Sequence, residues 1–455
     1  MTPTHPRLRV SPDRRSLVRE DGTPFVYLAD TAWELFHRLD RDEAVAYLDL
    51  RARQRFTVIQ AVALAELDGL SEPNRYGRLP LIDRDPARPA LSPRSRGGGA
   101  DDYDYWDHVD FVIAEANRRG LYVGLLPTWG RWVGGRPTDE PVFTVENAVV
   151  YGEFLGRRYR DRGIVWILGG DRPADGLEEV WRAMARGIAR GVTGEEAYEA
   201  VIATFHPRGG GTSSTHFHGD PWLHFNMQQT GHGPAEAVRG WDRIAADYAL
   251  APPKPVVDGE PLYEDHPIGF RAASEHGFST EHHVRQRAYW HLFAGACGFA
   301  YGNHAVWQMY APGRRPVNGP LLYWYEAIHR PGAAQMQHVR ALIESRPMTA
   351  RVPDPGLVVD PLDGPHRIQA CRGADYAFVY TGTGRAFTVN LGTIRGDRLR
   401  AWWYNPRNGA ATEIGEFANR GQRSFTPQYQ GLGSDWVLVL DDVASDYPPP
   451  GSGAR

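Results

Sequence analysis

The sequence predicts an α/β protein, a (β/α)8 TIM barrel followed by a C-terminal antiparallel β-sandwich. From about residue 25 to residue 345, short apolar runs alternate with amphipathic helical stretches, which is the pattern of βα units around a parallel sheet. Eight apolar runs occur in this region, and eight is the strand number of a closed barrel. After Pro347 the pattern changes to short strands separated by turn residues, as in a sandwich.

The predicted barrel strands are rich in Val, Ile, Leu and aromatic residues. Continuous apolar runs such as Ile164–Leu168 are expected for parallel strands that helices cover on both faces. Asp40 with Glu43 three residues later predicts a capping box at the start of the first helix. A polar, Gly/Pro-rich insertion at 68–100 follows the second strand. The predicted strands are Phe25–Ala29, Thr57–Leu64, Tyr122–Pro127, Ile164–Leu168, Ala200–Phe205, His224–Gln228, Pro255–Asp258 and Gly298–Tyr301.

The chain divides into four predicted segments. Residues 1–24, with a turn at Asp21-Gly22, are expected to form a hairpin that packs on the barrel floor. The barrel spans 25–348 and the β-sandwich 349–446, and the Pro/Gly-rich tail at 447–455 is expected to be disordered. The predicted sandwich strands are Leu357–Val359, Tyr376–Tyr380, Ala386–Asn390, Leu399–Tyr404 and Trp436–Leu440.

Composition excludes several classes of protein. The 455 residues are 42% hydrophobic and 23% charged with a formal net charge of -4, and no basic run interleaved with aromatics suggests nucleic-acid binding. No apolar run approaches membrane-spanning length, and the N-terminus lacks the apolar core of a secretory signal. The sequence therefore predicts a cytoplasmic protein with neither a nucleic-acid nor a membrane partner. Its oligomeric state is left open.

Cofactor and disulfide chemistry is also disfavoured. The chain has no GxGxxG turn after an early strand, no P-loop and no GxSxG elbow, so no cofactor is expected. Cys297 and Cys371 fall in different predicted domains, which excludes a disulfide framework and favours two buried thiols.

Two carboxylates follow glycines at the ends of predicted barrel strands. Asp171 comes after Gly-Gly at the end of the fourth strand, and Glu260 follows Asp258-Gly259 at the end of the seventh. Because catalytic side chains of a TIM barrel project from the C-terminal ends of its strands, both acids are expected at the barrel mouth. A carboxylate pair is what glycosidic cleavage uses. The alternative is structural: an ion pair of Asp171 with Arg172, and a loop-bracing role for Glu260.

Other polar and aromatic residues at strand ends are candidate sugar contacts. Aromatic faces stack on sugar rings, while histidine, carboxylate and amide groups hydrogen-bond to hydroxyls. Gln229 also occurs at such a position. The candidates chosen on this basis are Asp30, Trp33, Trp129, His206, His218, His232, His304 and Trp307.

The histidines between residues 206 and 232 suggest a second chemistry. Imidazole and carboxylate are common zinc ligands, but the spacing matches no compact motif such as HExxH. We therefore predict no metal, and a metal-dependent hydrolase ranks last among the hypotheses.

Several sequence blocks, taken in order, resemble the apiosidase-like glycoside hydrolases of family 140. Members of this family join a catalytic barrel to a C-terminal domain described as collagen-binding. The blocks cover most of the chain: Leu28-Ala29-Asp30-Thr31-Ala32-Trp33, Asn74-Arg75-Tyr76-Gly77, Trp166-Ile167-Leu168-Gly169-Gly170-Asp171-Arg172, Phe225-Asn226-Met227-Gln228 and Asp258-Gly259-Glu260-Pro261-Leu262-Tyr263-Glu264.

The resemblance implies roles for individual residues. It suggests that Asp171 is the general acid/base and Glu260 the nucleophile, and that the sugar released from a pectic side chain is apiose. Tyr76, Gln228 and Tyr263 lie within the matching blocks and join the substrate-binding candidates. The family pattern leads us to expect asparagine where Pro173 stands.

The sequence therefore favours a retaining, exo-acting glycosidase that acts on a small pectic oligosaccharide or glycoside. A non-catalytic carbohydrate- or matrix-binding protein on a barrel scaffold is the main alternative. The retention of both acids on opposed strands argues against that alternative.

Overall fold

The computed structural model describes residues 5–92, 103–271 and 275–453, and its central element is the predicted parallel barrel. Hydrogen-bonded neighbours run from the fifth strand through the fourth, third, second and first to the eighth, seventh and sixth. Between the fifth and sixth strands, the His224 backbone N–H donates to the Ala203 carbonyl at 2.9 Å. The barrel strands are Tyr27–Thr31, Val58–Val62, Tyr122–Leu126, Ile164–Gly169, Ala203–His206, Asn226–Gln228, Val256–Asp258 and Gly298–Tyr301.

Every residue of these eight strands is buried, as expected for a parallel sheet covered by helices. The structure confirms the predicted fold class, although some strand bounds differ. Phe25 belongs to the N-terminal sheet, where it pairs with Leu17, so the first barrel strand begins at Tyr27. The fifth strand begins at Ala203 because residues 198–200 form a 3-10 turn. The end of the predicted insertion, residues 93–100, lies outside the described residues.

Helices surround the strands. The predicted capping box is present: the Glu43 backbone N–H donates to Asp40, whose own N–H donates to the Glu43 carboxylate. In the part of the chain that is described, no helix is both long and apolar enough to cross a membrane. The α-helices are Leu35–Arg38, Arg41–Arg53, Tyr105–Arg118, Val145–Tyr159, Glu178–Thr193, Ser214–Phe217, Ala235–Val238, Gly240–Tyr248, Glu281–Phe293, His304–Trp307, Trp324–Ala327 and Pro331–Glu344.

The N-terminal segment contacts the N-terminal ends of the barrel strands. It forms a three-stranded antiparallel sheet rather than a simple hairpin, with strands Leu8–Val10, Leu17–Arg19 and Pro24–Phe25. His5 stacks on Tyr122 at the start of the third barrel strand, with ring centroids 4.4 Å apart. The segment therefore covers the floor of the barrel.

The C-terminal region contains a six-stranded antiparallel sheet and a two-stranded sheet. In spatial order the larger sheet consists of Val352–Pro353, Ile368–Arg372, Tyr376–Thr381, Trp436–Asp442, Arg398–Tyr404 and Ala411–Ala418. The smaller sheet pairs Phe387–Asn390 with Gln422–Phe425. The predicted strand at 357–359 is wrong: Pro355–Leu357 is a 3-10 turn capped by Asp354, and only Val358 makes a bridge, to Val389.

Alternate residues of the larger sheet join two different cores. In the strand Tyr376–Thr381, Ala377 and Val379 pack in the core of the C-terminal domain, whereas Phe378 and Tyr380 join the barrel core. This alternation follows from the two-residue period of a β-strand. Tyr289 of the barrel helix Glu281–Phe293 stacks on Tyr380 with ring centroids 4.8 Å apart.

A buried ion pair links the two domains at this interface. Asp435 accepts hydrogen bonds from Nε and Nη2 of Arg285 at 3.0 and 2.7 Å and from the Tyr380 hydroxyl at 3.1 Å. Burial alone would raise the pKa of Asp435, but hydrogen bonding from His282 and the charge of Arg285 hold it well below its usual range. The carboxylate is therefore ionised and fully paired inside the interface.

The tail predicted to be disordered instead contacts the C-terminal domain through residue 453. Its Tyr447 hydroxyl donates to Asp375 at 3.1 Å, and the Tyr447 ring lies 4.6 Å from the Arg346 guanidinium. Arg346 also donates to the Pro448 carbonyl at 3.0 Å. Composition suggested disorder, but one aromatic ring and one arginine hold the segment in place.

Substitution of Asp435 by asparagine should destabilise the protein by about 3–5 kcal/mol, because Arg285 would then be buried without its counter-charge. Since the pKa of Asp435 is lowered, the ion pair stabilises the protein fully above the unfolded value of 3.8 and fails only as the pH falls towards the folded value. Urea denaturation of Asp435→Asn measures the loss. The exposed control Glu413→Gln should change stability by less than about 0.5 kcal/mol, and equal stability of both variants would contradict the prediction.

Candidate active site

A pocket of about 230 Å³ opens at the C-terminal ends of the barrel strands. It corresponds to roughly eight water volumes at about 30 Å³ each, a space on the scale of a single sugar unit. The pocket therefore occupies the place where TIM barrels carry their active sites. Eight of the residues predicted from the sequence line it: Trp33, Trp129, Asp171, His232, Glu260, Tyr263, His304 and Trp307.

The two residues before Asp171 form a turn whose backbone angles and close packing only glycine permits. Gly169 and Gly170 have φ of 91° and 127°. A Cβ on Gly169 would lie 2.2 Å from the His206 carbonyl oxygen, and one on Gly170 would lie 2.8 Å from the Gly130 nitrogen. Asp171 itself has a φ of 54°, in the left-handed region that costs a non-glycine residue free energy. The strand end thus turns sharply and projects this carboxylate into the pocket.

Asp171 is surrounded by polar groups but retains a raised pKa. Nη1 of Arg172 lies 3.3 Å and Nη2 of Arg136 lies 3.6 Å from its Oδ2, while Nε2 of Gln229 donates to its Oδ1 at 3.4 Å. Burial and the negative charge of Glu260 outweigh the two arginines and raise the pKa of Asp171.

The structural alternative for Asp171, an ion pair with Arg172, is only partly realised. Arg172 directs its Nε to both carboxylate oxygens of Asp139, at 2.9 and 3.0 Å. Its contact with Asp171 is longer, and 28% of the Asp171 side chain remains exposed to the pocket. The carboxyl group is therefore accessible to a ligand.

Two histidines hold Glu260. Nε2 of His232 lies 3.1 Å from one carboxylate oxygen, and Nε2 of His206 lies 3.0 Å from the other. Burial alone would raise the pKa of Glu260, but hydrogen bonds and charge from His206 and His232 lower it to about 2. The preceding residue is Gly259, where a Cβ would meet the Met227 sulfur at 2.5 Å. The pocket thus contains one carboxyl group whose pKa is lowered, Glu260, and one whose pKa is raised, Asp171.

Two further histidine rings extend from His232 along the pocket wall. His266 stacks on His232 with centroids 3.9 Å apart, and His304 lies edge-on to His266 at 4.4 Å. The Trp307 indole N–H donates to Nδ1 of His304 at 3.3 Å. Burial lowers the pKa of His304 to about 4 and that of His266 further, so these rings are neutral.

A third carboxyl group, that of Glu66, also lines the pocket. It follows the second barrel strand, and its side chain is partly exposed. Burial, together with the negative charges of Asp171 and Glu34, raises the pKa of Glu66 to about 8. At neutral pH its acid form is therefore favoured.

Aromatic side chains form the remaining walls. The rings of Trp33 and Trp129 have centroids 5.3 Å apart, and Trp33 packs edge-on against His206. Phe270 is 60% exposed at the rim. Such flat apolar surfaces can stack on the faces of a sugar ring.

Two predicted contacts face away from the pocket because neighbouring strand residues point to opposite sides of the sheet. Asp30 pairs with Nε of Arg51 at 2.5 Å in the helix layer, and it is fully buried. Gln228 donates to Asp247 at 2.7 Å on the same side of the sheet. The next residue, Gln229, is the one that reaches Asp171.

Two further candidates lie outside the pocket, and one lies beneath it. The Tyr76 hydroxyl accepts the Arg41 backbone N–H at 2.9 Å, so Tyr76 caps a helix on the barrel exterior. His218 contacts Asn226 and the Pro252 carbonyl. His206 has no exposed surface and touches Glu260, so it positions the carboxylate without lining the pocket.

The pocket also contains residues that the predicted list omitted. Gln229 and Glu66 both carry a recognisable signal, since each is a polar residue that follows an apolar strand. The others occur on long loops, where hydrophobic periodicity gives no information. The omitted residues are Glu66, Arg136, Gln229, His266, Phe270, Val317 and Asn318.

A larger cleft of about 750 Å³ adjoins the pocket, and Val317 and Asn318 line both. Its walls include four arginines, Arg38, Arg75, Arg314 and Arg315, and two carboxylates, Asp68 and Glu72. Asp68 is paired with Arg131. Arg75 and Arg315 are exposed, and neither forms an ion pair with any carboxylate in the described ranges. The cleft is therefore a positively charged extension of the pocket.

The histidines considered as metal ligands are dispersed. His216 lies beside Glu178 at 3.4 Å, His224 accepts the Ala203 backbone N–H, and His232 contacts Glu260. Across 5–92, 103–271 and 275–453, no group of three or more His, Cys, Asp or Glu side chains could hold a metal ion.

Comparisons with known proteins agree with this geometry. Residues 11–350 match the family model "Apiosidase-like, catalytic domain", and residues 352–441 are similar to "Putative collagen-binding domain of a collagenase". A search of curated proteins finds no match. A solved structure described as "Glycoside hydrolase" shares 34% identity, covering 98% of this chain and 99% of its own, with a TM-score of 0.88. A family 5 glycoside hydrolase from Bacteroides vulgatus also shares 34% identity over 98% of this chain and 95% of its own, again with a TM-score of 0.88. The chain therefore belongs to the apiosidase-like family.

Proposed function

We propose that this protein is a retaining, exo-acting glycoside hydrolase that removes one sugar unit, such as apiose, from a small pectic oligosaccharide or glycoside. One observation carries the proposal: a single pocket contains two carboxyl groups whose surroundings shift their pKa values in opposite directions. The pKa of Asp171 is raised by burial and by the charge of Glu260, and that of Glu260 is lowered to about 2. This division is what an acid/base and a nucleophile need.

In the first step, Glu260 attacks the anomeric carbon while Asp171 gives its proton to the glycosidic oxygen. The leaving alcohol departs, and a glycosyl ester on Glu260 remains. In the second step, a water molecule attacks the anomeric carbon and transfers a proton to Asp171. The free sugar is released, and both carboxyl groups return to their starting states.

The shape of the site supports exo action on an acidic substrate. The pocket has the volume of one sugar unit, and the cleft beside it can receive the rest of the substrate. The exposed side chains of Arg75 and Arg315 would attract the carboxylates of a uronate-bearing leaving portion. Apiose and the retaining outcome rest on the family resemblance.

Replacement of Glu260 by glutamine should reduce kcat on aryl glycosides by at least roughly 10⁴-fold, because no nucleophile remains. Asp171→Asn should reduce kcat by about 10²- to 10⁴-fold on substrates with poor leaving groups and far less on dinitrophenyl glycosides, which need no proton. Steady-state kinetics on aryl apiosides and arabinosides measures both losses. Wild-type rates in Glu260→Gln, or sugar binding by the wild type without turnover, would contradict the proposal.

Activity should depend on pH through the two acids. Activity should fall as the pH rises above the raised pKa of Asp171, because the proton donor is lost. It should also fall on the acid side, as Glu260 becomes protonated near its pKa of about 2.

His232→Phe removes a hydrogen bond that lowers the pKa of Glu260, so the acid limb of the profile should move to higher pH. Profiles of kcat/KM against pH test the shift. His218→Phe is the matched control and should leave the limb in place, while an unchanged limb in His232→Phe would refute the prediction.

The double variant Arg75→Ala/Arg315→Ala should raise KM for a galacturonate-containing oligosaccharide by roughly tenfold, because charge-assisted contacts are lost. Its KM for a neutral aryl glycoside should not change, since such a substrate does not reach the cleft. Initial-rate measurements at low ionic strength distinguish the two effects. Arg420→Ala, at an exposed arginine of the C-terminal domain, is the control, and equal effects on both substrates would exclude an acid-binding cleft.

A further inference from the structure

Glu66 differs from the other two carboxyl groups in the pocket in its lack of polar partners among the described residues. Asp171 contacts Gln229 and two arginines, and Glu260 contacts two histidines. Within the described part of the chain, no hydrogen bond or ion pair reaches the carboxyl group of Glu66. Its side chain is nevertheless partly withdrawn from solvent in the pocket wall.

The backbone around Glu66 is fixed. The Trp132 indole N–H donates to the carbonyl of Ala65 at 3.0 Å, and the Leu67 backbone N–H donates to Oε1 of Glu34 at 3.0 Å. Nη1 of Arg131 donates to the carbonyl of Glu66 itself at 3.2 Å. The backbone that carries the Glu66 side chain into the pocket wall is therefore held on both sides.

The Glu66 carboxyl group lines the open pocket, so a sugar that displaces pocket water must replace the lost water hydrogen bonds with its own hydroxyl groups. Sites that leave a polar group to be satisfied by a substrate hydroxyl discriminate strongly against compounds that lack it. Trp33 and Trp129 line the same pocket and offer ring surfaces to the apolar face of a sugar. The pocket thus offers one bound sugar both a hydrogen-bonding group and apolar ring surfaces.

We infer that Glu66 is a sugar-binding residue whose carboxyl group hydrogen-bonds to hydroxyls of the unit held in the pocket and so helps to select that sugar. This role rests on the proposed function, because it places the sugar beside Asp171 and Glu260. Glu66 takes no part in bond cleavage.

The charges around Glu66 determine which hydrogen bonds it forms. Asp171, Glu34 and Glu260 oppose its ionisation, while Arg172 favours it. With burial the largest influence, the pKa of Glu66 is about 8, so the group is mainly protonated at neutral pH. A protonated carboxyl group has one donor and free acceptor positions, which is also true of the glutamine amide.

The test is isothermal titration calorimetry of the full chain with free D-apiose and free L-arabinose at pH 7. Glu66→Met keeps the side-chain length but removes both oxygens, and it should weaken binding of the preferred sugar by about tenfold or more. Glu66→Gln should restore the affinity to within about threefold of wild type, because the amide also donates and accepts. Glu199→Met, at an exposed glutamate before the fifth barrel strand, is the matched control.

Thermal unfolding of each variant identifies any loss that comes from misfolding, and the glutamine rescue provides a second check. The inference is overturned if folded Glu66→Met binds as the wild type does, or if the wild type binds neither sugar. Measuring hydrolysis of aryl glycosides distinguishes failure of this inference from failure of the proposed function. If sugars bind the wild type and not Glu66→Met, while no aryl glycoside is hydrolysed, then the sugar site stands and the hydrolase proposal fails.

Discussion

The chemistry of this protein depends on how a buried carboxylate is kept ionised. Glu260 lies where burial would favour its neutral form, and His206 and His232 reverse that preference by contacting both oxygens. The resulting negative charge then acts on its neighbours, because it raises the pKa of Asp171 and contributes to that of Glu66. Three carboxyl groups in one small pocket thereby acquire different protonation behaviour.

The packing around the strand ends makes this arrangement rigid. His206 is fully buried at the end of the fifth strand, and its carbonyl accepts the backbone N–H of Gly170 at 3.0 Å, which ties it to the turn before Asp171. On the other side, Asp258, two residues before Glu260, lies 2.7 Å from Nδ1 of His291 on the helix Glu281–Phe293. The barrel wall therefore contributes to the positioning of both candidate acids.

The sequence predicted the barrel and the two acids because both depend on short-range signals. Apolar runs of strand length, and glycines directly before Asp171 and Glu260, were sufficient. It could not predict which face of a strand a residue occupies at its last position, so Asp30 and Gln228 were placed in the pocket although they bond to the helix layer. Residues from long loops, such as His266 and Asn318, reach the pocket only through tertiary folding, which no local pattern encodes.

The central strands of the six-stranded C-terminal sheet are buried on both faces, whereas its edge strand Ala411–Ala418 is largely exposed. One face carries Phe378 and Tyr380 against the barrel, and the other packs on the two-stranded sheet. The faces of these central strands are covered by the barrel and by the two-stranded sheet, although the domain is similar to one described as collagen-binding. An external macromolecule would have to approach its strand edges or its loops. Because the domain packs on the barrel helix Glu281–Phe293 through Tyr380 and Asp435, any change in this helix would be transmitted directly to the C-terminal sheet.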